Sequence, residues 1–326
     1  MDEDVDYTFR AMGSDVRLLI GRRFVPRAPT PLDAAERERE FVLGFAHRLS
    51  RFIADSELSA LNRDPRSAVP ASDLLRAAVR AGLWAAERSG GLVDPTLVRA
   101  LRRNGYAQSL DGAVPASLRQ ALAAAPPRRP ARPDPQAPWR RIKVDDERGM
   151  VVRRPGLMLD TGGTGKGLCA DAVAYRLGGY SRFIVDCGGD IAIGGIGTEL
   201  EPYRVQVEHP LTGRSIGSIF VGRGGVATSG LNVRIWRDQR GRYAHHLLDP
   251  STGAPAWTGL ISATALGSTA LEAETLSKLA LLLGPAGARE VLQDRGGVIV
   301  HDGGEVEPVG PIELAAVGAV PATAER

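Results

Sequence analysis

Alternation of apolar and polar positions predicts an opening strand over "YTFRAMGSDVRLLIG", from Tyr7, interrupted at Met12-Gly13. The period then changes. "DAAEREREFVLGFAHRLSRFI" from Asp33 and "SDLLRAAVRAGLWAAERSGG" from Ser72 repeat their apolar residues at helical spacing, the second with a Ser-Asp start and a Gly-Gly stop. "RIKVDDERGMVVRRPGLMLD" and "RFIVDCGGDIAIGG" alternate again as strands, on either side of a helical "LCADAVAYRL". From Tyr203 to Leu266 the pattern is mostly strand. A helix over "STALEAETLSKLALLLG", a shorter helix and a last strand, "GVIVHD", complete it. Mixed helix and strand with long antiparallel stretches predict an α+β fold rather than a doubly wound sheet. The ordered body is expected over 7–314, with a disordered N-terminus, 1–6, and a frayed Ala-rich tail, 315–326.

Composition changes this picture little. The 326 residues, 43% apolar, can build one large domain or two small ones. No apolar run approaches the roughly 18 to 20 residues of a membrane span, and the acidic start "MDEDVDYTF" has no secretory pattern, so a cytoplasmic protein is expected. Cys169 and Cys187 are too few and too isolated for a disulfide framework or a zinc site. A net charge of +3 is too small to argue for nucleic acid. The Pro/Arg-rich segment 125–141, "APPRRPARPDPQAPWRR", reads as a surface linker or insertion ahead of a nucleic-acid arm. Against 38 arginines stand three lysines, Lys143, Lys166 and Lys278. A chain that takes its surface charge from arginine keeps lysine where a compact charge on a flexible stem is needed.

One of those lysines closes "LDTGGTGKG", 159–167. A nucleoside-triphosphate loop would need glycine where Asp160 stands and a hydroxyl residue where Gly167 stands. Glycines at 163, 165 and 167 miss the dinucleotide spacing. Two readings survive: an anion site of bare amides at a helix start with Lys166 adding charge, or a strand-to-helix turn.

"AMGS" (11–14), "SELSALN" (56–62), "VDPTL" (93–97), "LDTGGTGKGLCAD" (159–171), "DCGGDIAIGG" (186–195), "VATSG" (226–230) and "HLLDPSTGAP" (246–255) follow one another in this order. Together they resemble the ApbE family, the FAD:protein FMN transferases, over most of the chain. The resemblance implies a single large α+β domain of tandem T-fold-like form with an FAD cleft. It implies an activity that splits FAD, joins its FMN half to a Ser or Thr hydroxyl of an acceptor protein and releases AMP with magnesium. Hydrolysis of FAD to FMN and AMP, or FAD binding without cleavage, are the alternatives.

The resemblance also places the site. Asp160, Gly163, Lys166 and Asp171 are expected to serve FAD binding. Met12, Gly13 and Ser14, with Ser56, Glu57 and Asn62, fall on segments that shape the flavin and adenine pockets; a strand bulge and a helix cap are the plainer readings. Asp94 and Thr96 match a rigid Asp-Pro-Thr beside the ligand, or a helix start with Pro95 at its first position. Gly188, Gly189 and Asp190 form a glycine turn that allows close ligand approach or a tight hairpin. Thr228 and Ser229 place hydroxyls where the family meets the nucleotide, or end a polar strand. His246 is the acid-base candidate, and Asp249 either orients it or holds its turn. The family's metal positions are the Gly165 carbonyl and two side chains four apart on one helix face, here Glu274 and Lys278. Glutamate can reach a cation; an ammonium has donors only. The expectation is that Lys278 takes the magnesium position, paired with Glu274 and directed at the FAD pyrophosphate.

Overall fold

The computed structural model describes residues 3–198 and 201–316. Eight strands make its main sheet: β1 (Val5–Ala11), β2 (Ser14–Ile20), β3 (Phe183–Cys187), β4 (Asp190–Gly194), β5 (Gly224–Gly230), β6 (Leu260–Gly267), β7 (Gly297–His301) and β8 (Val306–Val309). Each is antiparallel to the next, so order in space is order in the chain. An up-and-down sheet of this kind leaves long insertions at its ends. The residues between β2 and β3 supply α1 (Pro31–Leu49), α2 (Glu57–Arg63), α3 (Asp73–Arg88), α4 (Val98–Arg103), α5 (Leu118–Ala124) and α6 (Gly165–Arg176). After β6 comes α7 (Ala270–Leu292). Among the described residues no helix is long and apolar enough to cross a membrane.

The expected opening strand is two strands. Met12 and Gly13 both take positive φ, 53° and 69°, with Ala11 opposite Ser14. Two left-handed residues make the tight turn whose twist suits a hairpin. The interruption is therefore a hairpin turn rather than a bulge. Val5 and Asp6, expected outside the ordered body, pair with Ile20 and Leu19. Ala315, expected in the frayed tail, bridges Ser218, and the tail from 317 lies outside the described residues.

Side-chain alternation sorts the sheet's faces. Ile191 and Ile193 of β4 pack with Val226 and Val298 against the two-stranded hairpin Tyr203–Glu208 and Ser215–Val221. Ala192, between them, belongs to the opposite core, where α1 and α6 cover the sheet. On β5, Ser229 Oγ lies 2.8 Å from Ser277 Oγ of α7. The face carrying Asp190 and Ser229 is thus the face under α6 and α7.

Helix α7 is two helical pieces. Gly284 (φ 74°, ψ −175°) breaks it, and Pro285 has no N–H to offer four residues back. The carbonyls left over are met from outside. Thr258 Oγ1 donates to Leu281 O (2.6 Å), and the Ala131 N–H donates to Leu282 O (2.8 Å). Segment 125–141, expected as a surface linker, is consequently a strap across the end of α7. Arg129 N donates to Trp257 O (3.0 Å), Arg132 N to Asp249 Oδ1 (3.2 Å), and Ala131 and Trp139 are buried. Its composition hid this, because the strap is held mainly by backbone groups, which any residue but proline can donate.

Candidate functional site

The loop 159–166 is built by its neighbours. Asn62 clamps Leu159 from both sides, its Nδ2 donating to the carbonyl (2.8 Å) and its Oδ1 accepting from the amide (2.7 Å). Asp160 Oδ1 accepts from Gly162 N (3.0 Å), and Oδ2 lies 3.3 Å from Arg51 Nε. Thr161 Oγ1 donates to Leu49 O (3.0 Å), and the Thr161 carbonyl accepts from Thr164 N and Gly165 N to start α6. One turn on, Gly167 meets α7. A Cβ there would sit 2.7 Å from Ala270 O and 2.8 Å from Glu274 Oε2, so only glycine lets the two helices approach this closely.

That approach assembles a row of alternating charges, buried at Asp190, Glu274 and Lys278 and part-exposed at Lys166. Lys166 Nζ lies 2.5 Å from Asp190 Oδ2 and donates to Gly188 O (3.0 Å). Glu274, fully buried, accepts from Gly167 N at Oε2 (2.9 Å) and from Lys278 Nζ at Oε1 (2.9 Å). Burial pushes the Glu274 carboxyl up, with Asp190 adding to it and Lys278 and Lys166 opposing. Burial works against the Lys166 ammonium, yet Asp190 and Glu274 hold it above the ordinary lysine range. Four charged groups taken from water cost several kcal/mol each unless paired, and here each has an opposite partner.

The row borders a cleft with two chambers. The larger, of about 550 Å³, is walled by Met12, Gly13, Gly165 and Lys166 and lies within the range of small-molecule sites. The smaller, of about 120 Å³, is walled by Asp94, Gly163, His246 and Lys278. Arg51, Phe52, Tyr106, Asp160, Gly162 and Arg234 line both. Arg51 stacks over Phe52 and Tyr106, 4.0 and 4.5 Å from their ring centres, and donates to Tyr106 O (3.0 Å). His246 Nδ1 is 3.4 Å from Arg234 O. A carbonyl only accepts, so Nδ1 carries the proton and Nε2 keeps its lone pair. Burial, then the charges of Arg234 and Lys278, hold His246 well below its ordinary pKa, so it is neutral at pH 7.

A family model described as "ApbE family" matches residues 12–300. The chain belongs to the ApbE family. It is 32% identical over 146 residues to a Klebsiella pneumoniae protein named FAD:protein FMN transferase, and that match takes in 44% of this chain but only 41% of the relative. A protein of the same name from Salmonella typhimurium is 26% identical over 259 residues, 76% of this chain and 70% of the relative. The crystal structure of the ApbE protein of Thermotoga maritima superposes with a TM-score of 0.75 at 25% identity, covering 94% of this chain and 97% of that one.

The ApbE signature segments converge unevenly. Met12, Gly13, Asp94, Asp160, Gly163, Gly165, Lys166, His246 and Lys278 line the cleft. Asp94 Oδ1 accepts from Thr96 N (2.7 Å) and Oγ1 (2.6 Å), leaving Oδ2 buried and without a partner. The others act at one remove. Ser14 fills the space that a Cβ on Gly188 would need, and Gly188 and Gly189, both at positive φ, turn β3 into β4 beneath Lys166. Ser56 caps α2 by accepting from Ser59 N (3.0 Å). Glu57 pairs with Arg48 (2.5 Å) and accepts from Ser72, away from both chambers. Asp171 accepts from Ala270 N (2.7 Å) and Leu271 N (2.9 Å), capping α7 beside Thr269. Thr228 Oγ1 pairs with Thr264 Oγ1 (2.9 Å) across the sheet and lines neither chamber. Asp249 does not reach His246: its Oδ1 accepts from Ser251 N (3.0 Å), Ser251 Oγ (2.7 Å) and Arg132 N. The role left to Asp249 is the turn.

Sequence reading missed Arg51, Phe52, Tyr106 and Arg234. One arginine in 38 carries no signal, and the Arg-Phe pair at 51–52 recurs at 23–24 and 182–183. The family's magnesium positions do not fit magnesium here. Both Glu274 oxygens are occupied by donors, Lys278 offers donors only, and among the described residues no three His, Cys, Asp or Glu gather as a metal cluster.

Proposed function

We propose that this chain is an FAD:protein FMN transferase, as its relatives are named, with a Ser or Thr hydroxyl of an acceptor protein as second substrate. The observation that supports it most is the convergence of Lys166, Arg234, Lys278 and neutral His246, with the Asp160 loop, on one cleft of dinucleotide scale. The acceptor oxygen attacks the FMN-side phosphorus. An O–P bond forms, the bridging P–O bond breaks, and AMP leaves with that oxygen. The hydroxyl proton passes to a base, and the Nε2 lone pair of His246 offers one. Fixed cations and helix-start amides stabilise charge on the phosphoryl oxygens without reorganising.

The test is incubation of the purified protein with FAD and a flavin-acceptor domain, followed by in-gel flavin fluorescence and chromatography of the nucleotides. Fluorescent acceptor with stoichiometric AMP supports the transferase. Free FMN with AMP, and no labelled acceptor, replaces it with a hydrolase. Bound FAD released intact replaces it with a binding protein.

A further inference from the structure

We infer that Lys278 and Arg234 together form a built-in two-cation site for the diphosphate of FAD, which this chain binds without a divalent metal; Glu274 is the positioning residue that holds Lys278. The inference rests on the reading of FAD as ligand.

Charge and geometry carry it. The diphosphate bridge of FAD is a diester, with one negative charge on each phosphorus. A divalent ion would balance both, and one ammonium balances one. Lys278 reaches the wall of the smaller chamber with its side chain 10% exposed, while its partner Glu274 is sealed at 0%. Glu274 already accepts from Gly167 N at Oε2 and from Lys278 Nζ at Oε1, so a cation bound to it would lie against the Lys278 ammonium and be repelled. The second charge is Arg234. It lines both chambers, and among the described residues it has no carboxylate partner. Among the described residues the other cations lining the cleft have carboxylate partners, Arg10 in Asp111, Arg51 in Asp160, Lys166 in Asp190 and Lys278 in Glu274, which leaves Arg234 as the guanidinium with none. Arg234, His246 and Lys278 all line the smaller chamber, with His246 Nδ1 3.4 Å from Arg234 O.

A purely structural ion pair explains less. Replacing such a buried pair by apolar residues is often neutral or stabilising, so stability alone gives little reason to keep Lys278 at a cavity wall. An ammonium facing a chamber beside an unpaired guanidinium is the arrangement that receives an anion.

The experiment is a titration of FAD by flavin fluorescence quenching in EDTA and in millimolar magnesium, with the full chain. The expected affinity is the same in both buffers within about two-fold. Arg234→Gln and Lys278→Met should each weaken binding about ten-fold or more in EDTA. Glu274→Asp combined with Lys278→Thr should bind FAD tightly only when magnesium is present. To guard against misfolding by an unpaired charge, Glu274→Leu combined with Lys278→Met removes both members and should also bind weakly, with unchanged circular dichroism. Wild-type binding that EDTA abolishes and magnesium restores would overturn the two-cation site while leaving the transferase reading intact. Variants that bind FAD as the wild type does in EDTA would overturn it as well. Absence of FAD binding in either buffer would instead remove the reading of the ligand on which the inference stands.

Discussion

Two irregular segments fasten the same helix from opposite ends. The loop 159–167 reaches the first turns of α7, where Gly167 donates to Glu274 and packs on Ala270. The strap 125–141 reaches the break at Gly284, where Ala131 donates to Leu282 O. One is rich in glycine, the other in proline and arginine. The loop looked chemical and the strap looked dispensable, yet each supplies a backbone N–H to an acceptor of α7, Glu274 Oε2 at the loop and Leu282 O at the strap. What differs is the group being met. A carboxylate bound into a charge row sits at the loop, and a neutral carbonyl sits at the strap. The two ends should therefore fail by different amounts.

The loop end should fail hardest. Glu274→Leu removes the acceptor for Gly167 N and leaves the Lys278 ammonium buried without its partner. Breaking one side of a buried pair costs about 3–5 kcal/mol. Guanidinium unfolding should show that loss, and Glu274→Leu combined with Lys278→Met should recover much of it. A single variant as stable as the wild type would mean that the row is not ionised.

At the strap end, Ala131→Pro deletes the N–H that meets Leu282 O, with Ala131→Gly as the control that keeps it. An orphaned buried carbonyl costs about 1–3 kcal/mol. Equal stability of the two variants would return the strap to the status of a loose linker.

The strap side also carries a pH signature. His245 is fully buried beneath Trp257, in an edge-on contact 4.7 Å between ring centres, and neither ring nitrogen has a partner. Burial lowers its pKa to about 3, while the unfolded chain titrates near 6.5. Between those values the unfolded state binds the extra proton, so this contribution to stability is complete above about pH 6.5 and is lost as pH falls toward 3. His245→Phe should keep the contact with Trp257 and remove the titration. Its stability relative to the wild type should rise by about 1.4 kcal/mol for each pH unit between 6 and 5. A difference independent of pH would show His245 protonated in the folded state.

How much of this was legible follows from what each residue is doing. Period-2 and period-3.6 patterns located the sheet strands and the long helices, because burial on one face forces those repeats. Seven short segments in order pointed to the family and to a cleft. Glu274 and Lys278 stood out because they fall at the family's two metal positions, and lysine is scarce in the chain. The strap escaped notice because its bonds run through backbone groups that leave no mark on side-chain choice. Met12-Gly13 escaped as a hairpin because hairpin turns are usually announced by Asn or Asp before the glycine. Arg234 and Arg51 escaped among many arginines whose spacing says nothing about which of them the fold turns inward.

The smallest expected effect separates neighbours in one motif. Asp249 and His246 stand three residues apart and invite a reading as an oriented acid-base pair. Asp249 instead spends Oδ1 on the turn, accepting from Ser251 and from Arg132 of the strap. Asp249→Ala should therefore cost about 1 kcal/mol of stability, the net worth of a hydrogen-bonded turn, and leave the pH profile of turnover unshifted. His246→Gln should do the reverse, keeping stability and lowering turnover through kcat while FAD affinity changes little. An orienting carboxylate would behave otherwise. Its removal would let the imidazole tautomerise and would move the profile's acid limb. The discriminating measurement is thus the pH dependence of AMP release by Asp249→Ala: an unshifted limb ties Asp249 to the strap, and a shifted one would tie it to His246.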